Sequence, residues 1–187
     1  MTDFFSLHSA GFDSPIELLE ACHEKIRRFA TLTQRIAHHI EKKGIDRKAQ
    51  EAAESVLRYF TIAAPLHHQD EEDDLFPALM HLSPATLGEE SYKNLNNTIQ
   101  ELESEHVAFG VLWSKIENWL RDIVENKLGT TPMCLDEFAT KYMHHADREE
   151  KFIYPHAQFL PPETLRTIGM NMALRRGHRT LDLNQAI

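Results

Sequence analysis

Two stretches of this chain carry nearly the same pattern: His67-His68-Gln69-Asp70-Glu71-Glu72-Asp73-Asp74-Leu75-Phe76-Pro77 and His145-Ala146-Asp147-Arg148-Glu149-Glu150-Lys151-Phe152-Ile153-Tyr154-Pro155. Aligned, they read His-x-x-x-Glu-Glu-x-x-aliphatic-aromatic-Pro. Side chains four residues apart lie on the same face of a helix. Each stretch therefore directs one imidazole and one carboxylate toward a common point, as metal ligands require. One such pair is common on surface helices, but two copies with matching flanks indicate a shared metal site.

Around these stretches, apolar residues recur at steps of three and four, which predicts long amphipathic helices. Ser14-Pro15 is a helix start, and Gly44 ends that helix. Asp46 begins the second helix, where Pro65 predicts a kink. Thr131-Pro132 begins the fourth. The four expected helices cover residues 14–43, 46–80, 89–127 and 132–160.

Four long helices with short connections predict an all-α, up-down four-helix bundle. We expect three parts of the chain, namely an N-terminal arm at 1–13, the bundle at 14–160, and a C-terminal part at 161–187. The C-terminal part should hold a short helix, near 163–176, and a polar tail. With 187 residues, the chain is long enough for one well-formed core.

Ionisable side chains interrupt the apolar stripes of all four helices. Burying each of these ionisable groups without a partner would cost roughly several kcal/mol. A shared metal centre removes that cost. The predicted metal ligands are His23, His67, Glu71, His106, His145 and Glu149.

The helical register also distinguishes neighbouring residues within the repeated stretches. His68 and Glu72 fall one step off the apolar stripe of the second helix. His144 and Glu150 fall off the stripe of the fourth. We expect these four residues near the site or at the surface, and not among the ligands. The register also extends the fourth stripe through Phe152, His156 and Phe159.

Composition narrows the classes of function. The formal net charge of -9 argues against nucleic acid or an anionic membrane as a partner. No stretch approaches the roughly 20 apolar residues of a membrane span. Two cysteines predict a reducing compartment. The N-terminal residues lack the pattern of a signal peptide. We therefore expect a cytoplasmic protein, and the sequence leaves its oligomeric state open.

The ligand pattern resembles the hemerythrin family, in its bacterial single-domain HHE cation-binding form. The matching features are His23 within Cys-His-Glu-Lys-Ile, the two His-x-x-x-Glu repeats running into Leu-Phe-Pro and Ile-Tyr-Pro, and His106 on the third helix. The resemblance spans about residues 10–160. It implies two iron ions with an oxo or hydroxo bridge, the histidines as terminal ligands and Glu71 and Glu149 as bridges.

One position departs from the oxygen-carrying members of that family. They have His-x-x-x-His on the third helix, and the second of those positions is Gly110 here. The glycine is explained either by close packing against a neighbouring helix or by an open position beside one iron. Related di-iron proteins implicated in the repair of iron–sulfur centres also carry an N-terminal cysteine-containing domain, and we expect none here.

A ferritin-like di-iron bundle is an alternative arrangement. Its signature, Glu-x-x-His, occurs at Glu20-x-x-His23 and Glu103-x-x-His106. These glutamates lie beside the apolar stripe, however, and this arrangement leaves His67 and His145 without a role.

The favoured function is binding of a small diatomic ligand, O2 or NO, for sensing, carriage or scavenging. By family analogy, His23 and His67 serve one iron, and His106 and His145 the other. Zinc or manganese also suits these donors. Two alternatives stay open. One is a di-iron enzyme that reduces NO or peroxide, oxidises ferrous iron or repairs iron centres. The other is a metal store or a structural zinc bundle, and the sequence does not decide whether the protein is an enzyme.

Overall fold

The computed structural model describes residues 11–178, and every regular element in that range is helical. This confirms the predicted all-α fold. The expected arm at 1–13 and the polar tail fall largely outside the described residues. Within the described part of the chain, no helix is both long and apolar enough to cross a membrane.

The first two helices begin and end close to where the sequence signals stand. Helix α1 covers Pro15–Lys43 and ends at Gly44, whose φ of 75° favours glycine. The next helix begins after Asp46, whose carboxylate accepts a hydrogen bond from the Ala49 backbone amide at 2.9 Å.

The second long helix is not a uniform α-helix. It comprises α2 (Arg47–Arg58), α3 (Ala64–Asp70) and α4 (Phe76–Met80), joined by π-helical turns at Tyr59–Ala63 and Glu71–Leu75. The first π turn lies just before Pro65, where the sequence predicts a kink. A π turn rotates the residues that follow it relative to a uniform α-helix. Adjacent residues are accordingly buried together at 59 and 60, at 70 and 71, and at 75 and 76.

The remaining helices are α5 (Pro84–Leu87), α6 (Glu89–Val124), α7 (Leu135–Phe152) and α8 (Pro162–Arg175). Helix α7 begins three residues after Pro132 and stops well before residue 160, so the predicted bounds of the fourth helix are wrong. A 3-10 helix at Tyr154–Phe159 follows it. This change of pitch exposes Phe152 and Phe159 and buries Ile153 and Tyr154, which overturns the stripe predicted there.

The four long helices form a closed ring of neighbours. Helix α1 packs against α2 and α7, and α6 packs against the same two helices from the other side. Successive helices are therefore neighbours, as in an up-down bundle. The core has two apolar layers, one around Phe60, Phe138 and Ile116, and the other around Phe76, Ile99 and Leu102. The predicted ligands lie between these layers.

Helix α8 covers the outside of the bundle at the level of the predicted ligands. It packs on α1, on α3 and on the second π turn. The fully buried carboxylate of Asp70 accepts hydrogen bonds from Arg175 at 3.0 Å and from Arg176 at 2.6 Å. Since buried charges require such partners, the two arginines hold α8 to the helix that carries His67 and Glu71.

Candidate metal centre

The buried ionisable side chains form two adjacent groups. In one, His23, His67, Glu71 and Glu149 offer ligand atoms that all lie within 4.8 Å of one another. In the other group, ligand atoms of His68, His106 and His145 likewise all lie within 4.8 Å of one another. Each group draws on more than one helix, so only the folded bundle brings it together.

Glu149 lies between the two groups. Its Oε2 atom is 3.0 Å from Nε2 of His23, and its Oε1 atom is 3.1 Å from Nε2 of His145. The same Oε1 atom is 3.7 Å from Nε2 of His106. One carboxylate thus presents one oxygen to a histidine of each group.

Glu71 also lies near both groups, but it faces them with a single oxygen atom. Its Oε2 atom is 3.6 Å from Nε2 of His67 and 3.8 Å from Nε2 of His106. Its Oε1 atom accepts a 2.6 Å hydrogen bond from the hydroxyl of Tyr154, which also lies 3.1 Å from Nε2 of His23. Tyr154 therefore fixes the second shared carboxylate.

Three histidines are oriented from outside by carboxylates. The Nδ1 atom of His23 lies 2.9 Å from Glu150, that of His106 lies 2.6 Å from Glu72, and that of His145 lies 2.8 Å from Glu105. A carboxylate on the outer ring nitrogen leaves the inner nitrogen free to bind a metal and makes it more basic. This pattern is usual for metal-binding histidines.

Arginines complete two of these outer contacts. Arg27 binds Glu150 at 2.9 Å, and Arg148 binds Glu105 at 2.5 Å. Each arginine holds the carboxylate in position for its histidine and balances its charge.

The electrostatics of the metal-free centre are dominated by burial and by the two glutamates. Burial and the nearby charge of Glu149 raise the pKa of Glu71 well above its usual range. Burial opposes ionisation of Glu149 itself, but the attraction of His145 and His106 holds its pKa well below the usual range. Burial works against protonation of His106 and His145, yet the surrounding carboxylates raise the pKa of each to about 9. Metal ions would have to displace the protons of these histidines and of Glu71.

The donor atoms that have no hydrogen bond in the metal-free protein fit a metal. Among the described residues, no hydrogen-bonding partner exists for either ring nitrogen of His67 or for Oε2 of Glu71. A buried polar atom without a partner costs about 1–3 kcal/mol. The Nε2 atom of His67 lies 3.6 Å from Oε2 of Glu71, so one cation between them would satisfy both atoms. The donor chemistry, imidazole and carboxylate, suits divalent first-row metals.

All six sequence-predicted ligands lie in this centre, and His144 is exposed, as the helical register predicted. Gly110 is also exposed, and a side chain there would meet no atom within 4 Å. Close packing, one of the two explanations offered for this glycine, is therefore wrong, and an open position beside a metal stays a prediction. The exposed Glu20 and the half-buried Glu103 belong to neither group, which disfavours the ferritin-like arrangement.

The sequence reasoning missed His68 as a member of the second group, and Tyr154 and Glu105 as hydrogen-bonding partners. A uniform period of 3.6 residues places His68 off the buried face of the second helix, because such a period takes no account of the π turns. The signal for Tyr154 was present in the repeat itself, since both copies end in an aromatic residue followed by proline. Glu105 could not be found, because its contact with His145 joins two helices.

The fold and the buried His and Glu residues define a cation-binding helical bundle. Residues 14–157 match the model of the hemerythrin HHE cation-binding domain, and the chain belongs to that family. Among curated proteins, an uncharacterized protein of Haemophilus influenzae (strain ATCC 51907 / DSM 11121 / KW20 / Rd) is 31% identical over 168 residues. The match covers 89% of this chain and 92% of that protein.

Proposed function

We propose that this protein holds two iron ions at the centre of its bundle and binds a small diatomic molecule, O2 or NO, for sensing, carriage or scavenging. The observation that carries the proposal is the position of Glu149 between two groups of histidines, with one oxygen facing each. A structural site for a single ion needs no such shared carboxylate.

The six predicted ligands divide between the two ions in this proposal. His23 and His67, whose ring centroids are 4.8 Å apart, would hold one ion. His106 and His145, at 4.6 Å, would hold the other. Glu71 and Glu149 would be shared. Bound iron would supply redox chemistry and an open coordination position, which the protein alone lacks.

The chain's own side chains exclude water from this centre and fix its donors. Phe109 lies 5.0 Å from His145, and Phe76 lies 6.3 Å from His106, measured between ring centroids. The apolar layers above and below consist of aliphatic and aromatic residues. A small uncharged diatomic molecule loses little on entering such surroundings, whereas a charged ligand would have to be desolvated.

A reducing compartment suits the proposal. In this proposal the protein works in the cytoplasm, where thiols such as those of Cys22 and Cys134 stay reduced. Ferrous iron is also more available under reducing conditions.

Spectroscopy of the reduced, iron-loaded protein tests the proposed ligand. Exposure of anaerobic Fe(II)-loaded protein to O2 or to NO should produce a new visible absorption that disappears when the gas is removed under argon. The same protein loaded with Zn(II) is the matched control, because zinc has no redox chemistry and should give no such change. An unchanged spectrum with both gases would refute the proposal. Continued consumption of NO or of added peroxide while a chemical reductant is supplied would instead establish the enzyme alternative.

A further inference from the structure

The imidazole of His68 faces the second group of histidines. Its ring stacks on that of His106, with centroids 3.9 Å apart and planes inclined by 9°, and its centroid lies 6.2 Å from that of His145. The Nε2 atom of His68 is out of contact with solvent and has no hydrogen-bonding partner among residues 11–178. A histidine kept for packing alone would be expected to have that nitrogen satisfied.

The backbone of the second helix explains why two consecutive histidines both face inward. Helix α3, which carries His67 and His68, lies between the π turns at Tyr59–Ala63 and Glu71–Leu75. Such turns are frequent at functional sites and change which residues face a neighbour. His67 joins His23 on one side of the centre, and His68 joins His106 and His145 on the other.

The spacing of the nitrogen atoms in this second group suits a metal ion. The ring of His68 stacks parallel to that of His106 and would turn about its side-chain bonds to bind the same ion. The Nε2 atoms of His106 and His145 face each other at 2.8 Å. Two imidazole nitrogens bound at right angles to one ion, each at about 2.1 Å, would be roughly 3.0 Å apart. The ligand atom of His68 lies within 4.8 Å of both.

We propose that His68 is a further metal ligand, forming a three-histidine group with His106 and His145. The inference rests on the proposed two-metal function and adds a donor to one of its two ions. Gly110 on α6 is exposed and has no side chain that could bind a metal. His68 would supply a donor from the second helix instead. The two ions would be unequal, one held by three histidines and the other by two.

Metal titration of the full chain tests this inference, with His68→Ala compared with His144→Ala. His144 is the matched control, since it is also the neighbour of a predicted ligand but is exposed. The probes are Fe(II), counted per chain by elemental analysis, and Co(II), whose visible absorption reports the number of ligands. Loss of outer partners of metal ligands already weakens binding about 10- to 100-fold, so loss of a direct ligand should cost at least about 100-fold at one site.

The expected result is two tightly bound ions in wild type and in His144→Ala, and one in His68→Ala. Free imidazole should restore the second ion to His68→Ala, which a merely structural role would not allow. Circular dichroism checks that metal-free His68→Ala is folded. If that variant is unfolded, His68→Asn, which keeps a polar side chain, is measured in its place. Two tightly bound ions and an unchanged Co(II) spectrum in a folded His68 variant would overturn this inference and leave the proposed function intact. Fewer than two ions in wild type would overturn both.

Discussion

Glu149→Gln should lose both metal ions. The substitution keeps the size of the side chain but removes the negative charge, and a neutral amide is a poor bridge between two cations. The two carboxylate oxygens lie 3.0 Å from His23 and 3.1 Å from His145, so a change at this one residue reaches both groups. We expect metal binding at each site to be weaker by at least about 100-fold, which is more than the loss of an outer hydrogen-bonding partner would cause.

Glu150→Gln is the matched control for this prediction. Glu150 is adjacent in sequence and half-buried, and it contacts His23 only at the outer Nδ1 atom, at 2.9 Å. Its loss should weaken binding at the His23 site alone, by about 10- to 100-fold. Titration with Fe(II) under anaerobic conditions measures both variants. Equal losses from Glu149→Gln and Glu150→Gln would show that Glu149 does not bridge.

Removal of metal should lower the thermal stability of the protein by a large amount. Buried donor atoms of His67 and Glu71 have no hydrogen-bonding partner among the described residues. A ligand present at 1,000 times its dissociation constant stabilises the folded state by about 4 kcal/mol, so two such sites contribute roughly 8 kcal/mol. At about 2–4 °C per kcal/mol for a chain of this size, the midpoint should fall by roughly 15–30 °C.

Differential scanning calorimetry with and without a chelator measures this shift. Glu149→Gln provides the control, because a protein that has already lost its metals should unfold at the same temperature in both conditions. Added Fe(II) should restore the wild-type midpoint. A midpoint that does not change when metal content falls to zero would contradict a metal centre built into the core.

Much of the fold could be predicted because its signals are local. Pro15, Gly44 and Asp46 begin or end helices through their own backbone chemistry, and the structure places the helix bounds beside them. The apolar periodicity likewise placed His23, His106 and His145 on buried faces. These predictions needed no knowledge of how the helices pack.

The rest depended on departures from the regular helix. The prediction for His68 assumed 3.6 residues per turn throughout, whereas two π turns rotate that part of the helix. The fourth stripe failed after Glu149 for the same kind of reason, because the chain there becomes a 3-10 helix. Contacts between helices, such as Glu105 with His145 and Asp70 with Arg176, follow from the rotation of each helix about its axis. That rotation is set by packing and is not visible in one sequence.

Two iron ions held by four histidines and two glutamates in the core, with Glu149 between them, should be visible by X-ray diffraction. Crystals of iron-loaded protein, measured at the iron absorption edge, should give two anomalous peaks, one beside His23 and His67 and the other beside His106 and His145, with the Glu149 carboxylate between the peaks. A single peak, or peaks away from these side chains, would show that the protein does not hold two iron ions in this way.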